Sequence, residues 1–146
     1  MITNISIASV FVKDIDESRD FYVDKLGFVL QDDLTLGDYR WCTVSHPSQP
    51  ELKVHLTTPG PPFEPDMVEA MNRALDGGGM NGLGLSVDDC RKTVEDLKSK
   101  GVQFIQEPEE RPYGVEALMR DNSGNWMVLV EKRDFVPEDF DGVDMG

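Results

Sequence analysis

The chain has 146 residues, of which 39% are hydrophobic, a composition typical of a soluble globular domain. Its 28 acidic residues outnumber the 14 basic ones, and the net charge of −14 argues against nucleic acid and anionic membranes as partners. The sequence lacks an apolar run of the ~20 residues that span a bilayer, and its two cysteines, Cys42 and Cys90, favour a reducing, cytoplasmic location.

The first part of the chain, residues 1–58, predicts a β-α-β-β-β unit. An alternating, β-branched strand covers residues 5–12, and Asp14 or Asp16 then caps a helix that ends near Gly27. Three more strands, separated by turn-rich segments, are predicted at residues 28–31, 39–45 and 52–57.

A linker is predicted over residues 59–79. It begins with a proline-rich extended piece, continues as a helix over residues 66–75 in which Met67, Met71 and Leu75 share one face, and ends at three glycines.

A second unit, residues 80–133, repeats the order of the first. The predicted strands are 82–87, 102–106, 115–120 and 126–131, with a helix to Ser99 capped by Asp88 or Asp89. The last two strands form a hairpin around a turn that begins at Asp121. Residues 134–146 carry five acidic side chains and are predicted to be a loosely held tail.

The two units are copies of one pattern. Val10-x-Val12-x-Asp14 returns 75 residues later as Leu85-x-Val87-x-Asp89, and the glycine that ends the first helix, Gly27, returns 74 residues later as Gly101. We therefore expect an α+β fold in which two βαβββ modules form curved mixed sheets around a cleft, with the helices outside. Strand alternation predicts which side chains face the cleft. They are Ile7, Ser9, Phe11, His55, Gly82, Gly84, Ser86, Trp126, Val128 and Val130, joined by Tyr39, Trp41 and Thr43 if Cys42 and Val44 are the buried pair.

The motifs resemble those of the vicinal oxygen chelate superfamily, which includes glyoxalase I, bleomycin resistance proteins and extradiol dioxygenases. The similarity lies in the strand ending at Asp14, in Phe21-Tyr22-x-x-x-Leu26-Gly27-Phe28, and in the Asp121-Asn122-Ser123-Gly124-Asn125 turn. It extends to about residue 132. The resemblance implies a homodimer with clefts at or near the subunit interface.

The resemblance also implies four positions for metal ligands, which in metal-dependent members carry histidine, glutamate or glutamine. In this chain those positions fall on Ile7, His55, Gly82 and Val128. A divalent ion in an open site needs several nitrogen or oxygen ligands, and only His55 can supply one. We therefore expect neither a bound metal nor another cofactor.

The candidate ligand-binding residues follow from these assignments. Trp41, Trp126, Tyr39 and Phe11 would stack on a planar ligand, or else simply fill the space between the sheets. His55 would donate or accept a hydrogen bond or act as a general base, the alternative being a structural, half-buried histidine. Ile7, Ser9 and Val128 complete the surface, and Tyr113 lies at its rim.

These features predict a metal-independent protein that binds a small aromatic molecule for sequestration, transport or antibiotic resistance. The acidic surface would favour a cationic ligand, although solubility alone also accounts for it. The alternatives are a metal-dependent enzyme of the glyoxalase or dioxygenase type, and a metal-free lyase or isomerase with His55 as its base.

Overall fold

The computed structural model describes residues 1–144 and confirms the predicted α+β class. One four-stranded sheet contains β1 (Ile7–Phe11), β2 (Val29–Leu36), β3 (Tyr39–Ser45) and β4 (Lys53–Thr57), in the spatial order β1-β4-β3-β2. The other contains β5 (Asn81–Ser86), β6 (Phe104–Arg111), β7 (Gly114–Arg120) and β8 (Trp126–Lys132), in the equivalent order β5-β8-β7-β6. In each sheet the first strand pairs with the last in parallel, and the other pairs are antiparallel.

Three α-helices connect these strands: α1 (Ile15–Asp20), α2 (Pro65–Asp76) and α3 (Cys90–Ser99). Asp14 and Asp89 cap α1 and α3, because each carboxylate accepts a hydrogen bond from the backbone N–H three residues later. Within residues 1–144, no helix combines the length and the apolar character needed to cross a membrane.

The helix of the first module ends differently from that of the second. After α1 the chain continues as a π-helix, Phe21–Lys25, in which the N–H of Leu26 donates to the carbonyl of Phe21. A π-turn accommodates one extra residue in a helix. This inserted residue explains why the repeat distance falls from 75 residues at the strands to 74 at the closing glycines.

A single apolar core joins the two modules. Tyr22 and Leu56 of the first module and Met127 and Leu129 of the second belong to one continuous buried cluster. Such a shared core makes the modules one cooperative unit rather than two independent domains.

The loop between β7 and β8, residues 121–125, fastens the second module to the first; we call it the inter-module latch. The Tyr22 hydroxyl donates to Asp121 over 2.8 Å, and the Asn125 amide donates to the carbonyl of Phe11 over 2.7 Å. Two further bonds run from the Lys13 backbone N–H to Ser123 and from the Asn122 amide to Ser18. Asp121, Ser123 and Asn125 are all buried.

The strands at the outer edges of the two sheets are longer than predicted. β2 continues to Leu36 and β6 to Arg111, whereas the sequence predicts ends at residues 31 and 106. Both are edge strands, where one row of backbone groups faces solvent, so acidic residues and Pro108 are tolerated.

The C-terminal segment beyond β8 contacts the second module through its aromatic rings. A 3-10 helix, Pro137–Phe140, brings the ring of Phe140 to a centroid distance of 6.2 Å from Tyr113, nearly parallel to it. Phe135 packs against Phe140 edge to face. The predicted tail therefore has ordered contacts up to Phe140, and residues 145 and 146 lie outside the described residues.

Candidate functional site

His55 is the centre of a polar and aromatic cluster on one face of the first sheet. Its neighbours in register are Ser9 on β1 and Thr43 on β3. The Ser9 hydroxyl lies 3.4 Å from Nδ1 of His55, and the Tyr39 hydroxyl lies 3.1 Å from Nε2. Because a hydroxyl can donate or accept, these two groups satisfy both ring nitrogens in either neutral tautomer.

Trp41 covers the His55 ring. The two ring centroids are 4.4 Å apart with an interplanar angle of 32°, and His55 is only 7% exposed. This burial lowers the pKa of His55, so its imidazole is neutral near pH 7. The predicted residues Ser9, Tyr39 and Trp41 thus each contact His55, and we call these four residues the Trp41–His55 cluster.

A partly buried polar network adjoins this cluster, and its acidic member, Asp32, was not predicted from the sequence. Asp32 on β2 accepts hydrogen bonds from Thr43 over 2.6 Å and from Lys53 over 2.8 Å. These bonds, with a smaller contribution from Trp41, lower the pKa of the Asp32 carboxyl group. Alternation with buried Cys42 and Val44 predicts that Thr43 faces the cleft, but the Asp32–Lys53 pair depends on a register that the sequence does not reveal.

Two other predicted residues, Ile7 and Phe11, lie at the ends of β1 in this sheet, and a third, Trp126, lies in the second sheet. Ile7 is 47% exposed at the start of β1. Phe11, at its end, packs edge to face against Phe63 of the linker, with ring centroids 5.8 Å apart. Trp126 begins β8 in the second sheet and is 41% exposed.

Tyr113 and Val128 line a separate cavity of about 720 Å³ on the second module. Gly84 and Ser86 of β5 also line it, and Phe135 forms part of its wall. The Tyr113 hydroxyl donates to Glu116, and burial together with this bond raises the pKa of Tyr113 to about 12. The structure therefore places Tyr113 and Val128 apart from the Trp41–His55 cluster.

The sequence places one of the four metal-ligand positions on Gly82, and a β-bulge in β5 moves that position to Asn81. Asn81 pairs with Trp126 and Gly84 with Val128, so β5 has one residue more than β8 in this interval. A Cβ atom on Gly82 would meet Met127 Cγ at 3.1 Å and Asn125 Cβ at 3.5 Å, both in the buried interior. Asn81, not Gly82, takes the place opposite Trp126 that Ile7 takes opposite Lys53.

The donor set does not fit the metal centre that the fold resemblance implies. The four equivalent positions now carry Ile7, His55, Asn81 and Val128, and only the imidazole is a strong ligand for a divalent ion. Among residues 1–144 no group of three or more His, Cys, Asp or Glu side chains has the geometry to hold a metal ion.

Comparison with known proteins shows similarity over most of the chain. Residues 4–129 match the family model of the Glyoxalase/Bleomycin resistance protein/Dioxygenase superfamily. The uncharacterised protein YurT of Bacillus subtilis (strain 168) is 30% identical over 128 residues, which cover 88% of this chain and 98% of YurT.

Two solved structures have similar folds. The crystal structure of UcmS2 has a TM-score of 0.83 and 37% identity, and the match covers 90% of this chain and all of UcmS2. TnmS3, an antibiotic binding protein from Streptomyces sp. CB03234, has a TM-score of 0.72 and 27% identity over 90% of this chain and 98% of its own. The repeated βαβββ modules, the latch motif and the family-model match together establish that the chain belongs to the glyoxalase/bleomycin resistance protein/dioxygenase superfamily.

Proposed function

We propose that this protein is a cytoplasmic, metal-independent binding protein for a small planar aromatic molecule, acting in sequestration, transport or antibiotic resistance. The observation that carries the proposal is the Trp41–His55 cluster, in which an indole packs at a tilt against a neutral imidazole on one face of the first sheet. Aromatic rings with hydroxyl neighbours bind planar ligands by stacking and orient them by hydrogen bonds. The similarity to TnmS3, an antibiotic binding protein, agrees with this chemistry.

The ligand contacts extend beyond this cluster. Ile7, Phe11 and Trp126 add apolar surface, while Tyr113 and Val128 contribute from the cavity of the second module. Tyr39 and Ile7 are each 47% exposed, a large fraction for apolar side chains on a sheet face. We propose that a second copy of the chain covers them in a homodimer, as the family resemblance implies.

The ligand's charge is proposed from the electrostatics of the whole chain. A net charge of −14 produces a negative potential that raises the local concentration of cations. The faces of Trp41 and Tyr39 also attract cations, through the quadrupole of the aromatic ring. A planar aromatic cation would be attracted both by the negative potential and by the aromatic rings.

A metal-free lyase or isomerase is the second candidate function. The observation that favours it is the neutral His55, whose nitrogens are held by Ser9 and Tyr39 and could accept a proton from a bound substrate. Among residues 1–144, however, no carboxylate hydrogen-bonds to His55 to stabilise the imidazolium that such a step would form.

Titration with planar aromatic cations, beginning with proflavine, tests the proposal. Binding should quench tryptophan fluorescence and raise the melting temperature, and Trp41→Leu should weaken binding by about tenfold or more. Met67→Leu, at a half-exposed position of α2, is the control and should leave affinity unchanged. Stoichiometric metal in the purified protein, or no response to a broad set of cationic and neutral aromatic compounds, would contradict the proposal.

A further inference from the structure

The repeat relates the inter-module latch to a second place in the molecule. The first module has an equivalent loop between β3 and β4, residues 46–52, which faces α3 of the second module as the latch faces α1. His46 and Asp121 are the first residues of their loops, and Leu52 and Asn125 are the last. The equivalent loop therefore has His46 where the latch has Asp121, and Leu52 where the latch has Asn125.

The helix residues correspond in the same way. The carbonyl of Tyr22 accepts a hydrogen bond from the first residue after the closing glycine, Phe28, and the carbonyl of Leu97 accepts one from Val102. Leu97 is therefore the counterpart of Tyr22. A shorter aliphatic side chain stands where the other module has a phenol that donates to a buried carboxylate.

A cavity of about 710 Å³ lies where these replacements meet. Its apolar wall includes Phe28, Leu52, Leu83, Leu97, Met119 and Leu129. This wall is on the helix side of both sheets, because Val54 lines it while His55, the next residue along β4, belongs to the opposite face. A volume of this size lies within the range of pockets that hold drug-sized molecules.

His46 supplies a defined hydrogen-bond donor at this cavity. The backbone N–H of Ser48 donates to Nδ1 of His46 over 3.1 Å, so in the neutral ring Nε2 carries the hydrogen. Phe28 packs edge to face against the same imidazole, with centroids 5.8 Å apart, which helps to fix its orientation. A ligand oxygen that reaches Nε2 would accept this hydrogen.

Because the two modules differ at these positions, we infer that the cavity of about 710 Å³ between them is a second small-molecule site. It would take an aromatic compound with an oxygen substituent, such as a phenol or aryl ketone. The ligand's ring occupies the space beside Leu97 that corresponds to the Tyr22 ring, and its oxygen accepts from His46. The site is separate from the Trp41–His55 cluster and does not depend on the function proposed for that cluster.

The test uses 2-naphthol as the probe, naphthalene as the matched probe without oxygen, and the full chain labelled with ¹³C at Leu and Met methyl groups. Saturable shifts at Leu52, Leu97 and Met119 are expected with 2-naphthol. Naphthalene should bind several-fold more weakly, and His46→Ala should remove that difference. Trp41→Leu should leave the shifts intact, which separates this site from the proposed function.

Leu97→Tyr tests the site from within the protein, because it places a phenol where the repeat predicts one. The folded variant should lose at least about tenfold in affinity for 2-naphthol. The inference would be overturned if folded Leu97→Tyr kept the saturable shifts, or if Trp41→Leu abolished them. It would also be overturned if the shifts occurred only at residues other than Leu52, Leu97 and Met119. Absence of saturable shifts in the natural chain up to the solubility limit of 2-naphthol would also overturn the inference. If Leu97→Tyr fails to fold, this titration of the natural chain is the deciding test.

Discussion

At the scale of single residues, the structure distinguishes two aromatic hydroxyls with different tasks. Tyr22 is fully buried and donates to Asp121, which also accepts from Asn125, while Tyr39 is 47% exposed and contacts His55. Burial and the neighbouring Asp121 carboxylate raise the pKa of Tyr22 well above its ordinary value, so its hydroxyl remains a donor. The sequence places both tyrosines correctly in helix and strand, but gives no sign that Tyr22 reaches the other module.

Removing the Tyr22 hydroxyl tests the latch. Tyr22→Phe should lower the free energy of unfolding by roughly 1–3 kcal/mol, because the buried Asp121 carboxylate loses a donor that water cannot replace. Tyr39→Phe removes a hydroxyl from a side chain that is 47% exposed, so water can take its place beside His55 and the effect should be smaller than that of Tyr22→Phe. Urea denaturation of both variants gives the comparison, and equal effects would show that the latch bond has no special energetic role.

The pH dependence of stability reports on His55. Burial lowers its pKa, so just below the ordinary value of about 6.5 the unfolded chain binds a proton at His55 that the folded chain does not. Its contribution to stability is therefore complete above pH 6.5 and is lost as the pH falls toward the folded pKa. Between pH of about 7 and about 5.5, the melting temperature should fall more for the natural chain than for His55→Gln. Parallel curves would exclude His55 as the responsible group.

At the scale of elements, the agreement between sequence and structure depends on position in the sheet. β3 was predicted at residues 39–45 and is observed at Tyr39–Ser45, because turn residues bound it on both sides and Cys42 and Val44 alternate inward. The predicted ends of β2 and β6 are wrong because the polar residues that follow them do not end an edge strand. In β2, Asp33 is instead held by Arg40 and Arg19, and such ion pairs between elements cannot be foreseen from spacing alone.

The two hairpins that join edge strands to their neighbours provide a matched test. A Cβ atom on Gly114 would lie 2.0 Å from the Glu131 carbonyl oxygen, whereas one on Gly37 would meet nothing within 4 Å. Both glycines have positive φ angles, of 142° and 63°. Gly37→Ala should cost roughly 1–2 kcal/mol from backbone strain alone. Gly114→Ala should cost roughly 3 kcal/mol or more, because it also pushes β7 away from β8.

Thermal and urea unfolding of the two alanine variants measure this difference. A similar loss in the free energy of unfolding for both variants would mean that β7 and β8 can move apart at Gly114 without destabilising the fold, contrary to the prediction.

At the scale of the whole molecule, the shared core and the latch make two modules into one body, while the sheet faces that carry the candidate ligand residues remain partly exposed. The repeat was sufficient to predict the fold class, because it fixes the order of strands in each module. It could not predict the two cavities, since each arises where the modules differ: at Gly84 and Phe135 on one side, and at His46 and Leu97 on the other.

The overall charge leads to a prediction for binding. If the ligand is an aromatic cation attracted by the net charge of −14, its affinity should fall several-fold as ionic strength rises from about 0.01 M to about 0.15 M, because salt screens the field of the protein. An uncharged aromatic of the same size should show little change. Fluorescence titrations at both salt concentrations distinguish the two, and an equal response would assign the acidic surface to solubility alone.

The bulge in β5 changes how a metal centre could be engineered into this scaffold. Simple alignment of the two halves would direct a designer to Gly82, where a side chain would collide with Met127 in the interior. The strand pairing directs the choice to Asn81, with Ile7 and Val128 as the companion positions for introduced histidine or glutamate beside the natural His55. A single extra residue in one strand thus decides which substitutions would give a chelating site and which would only disrupt the core.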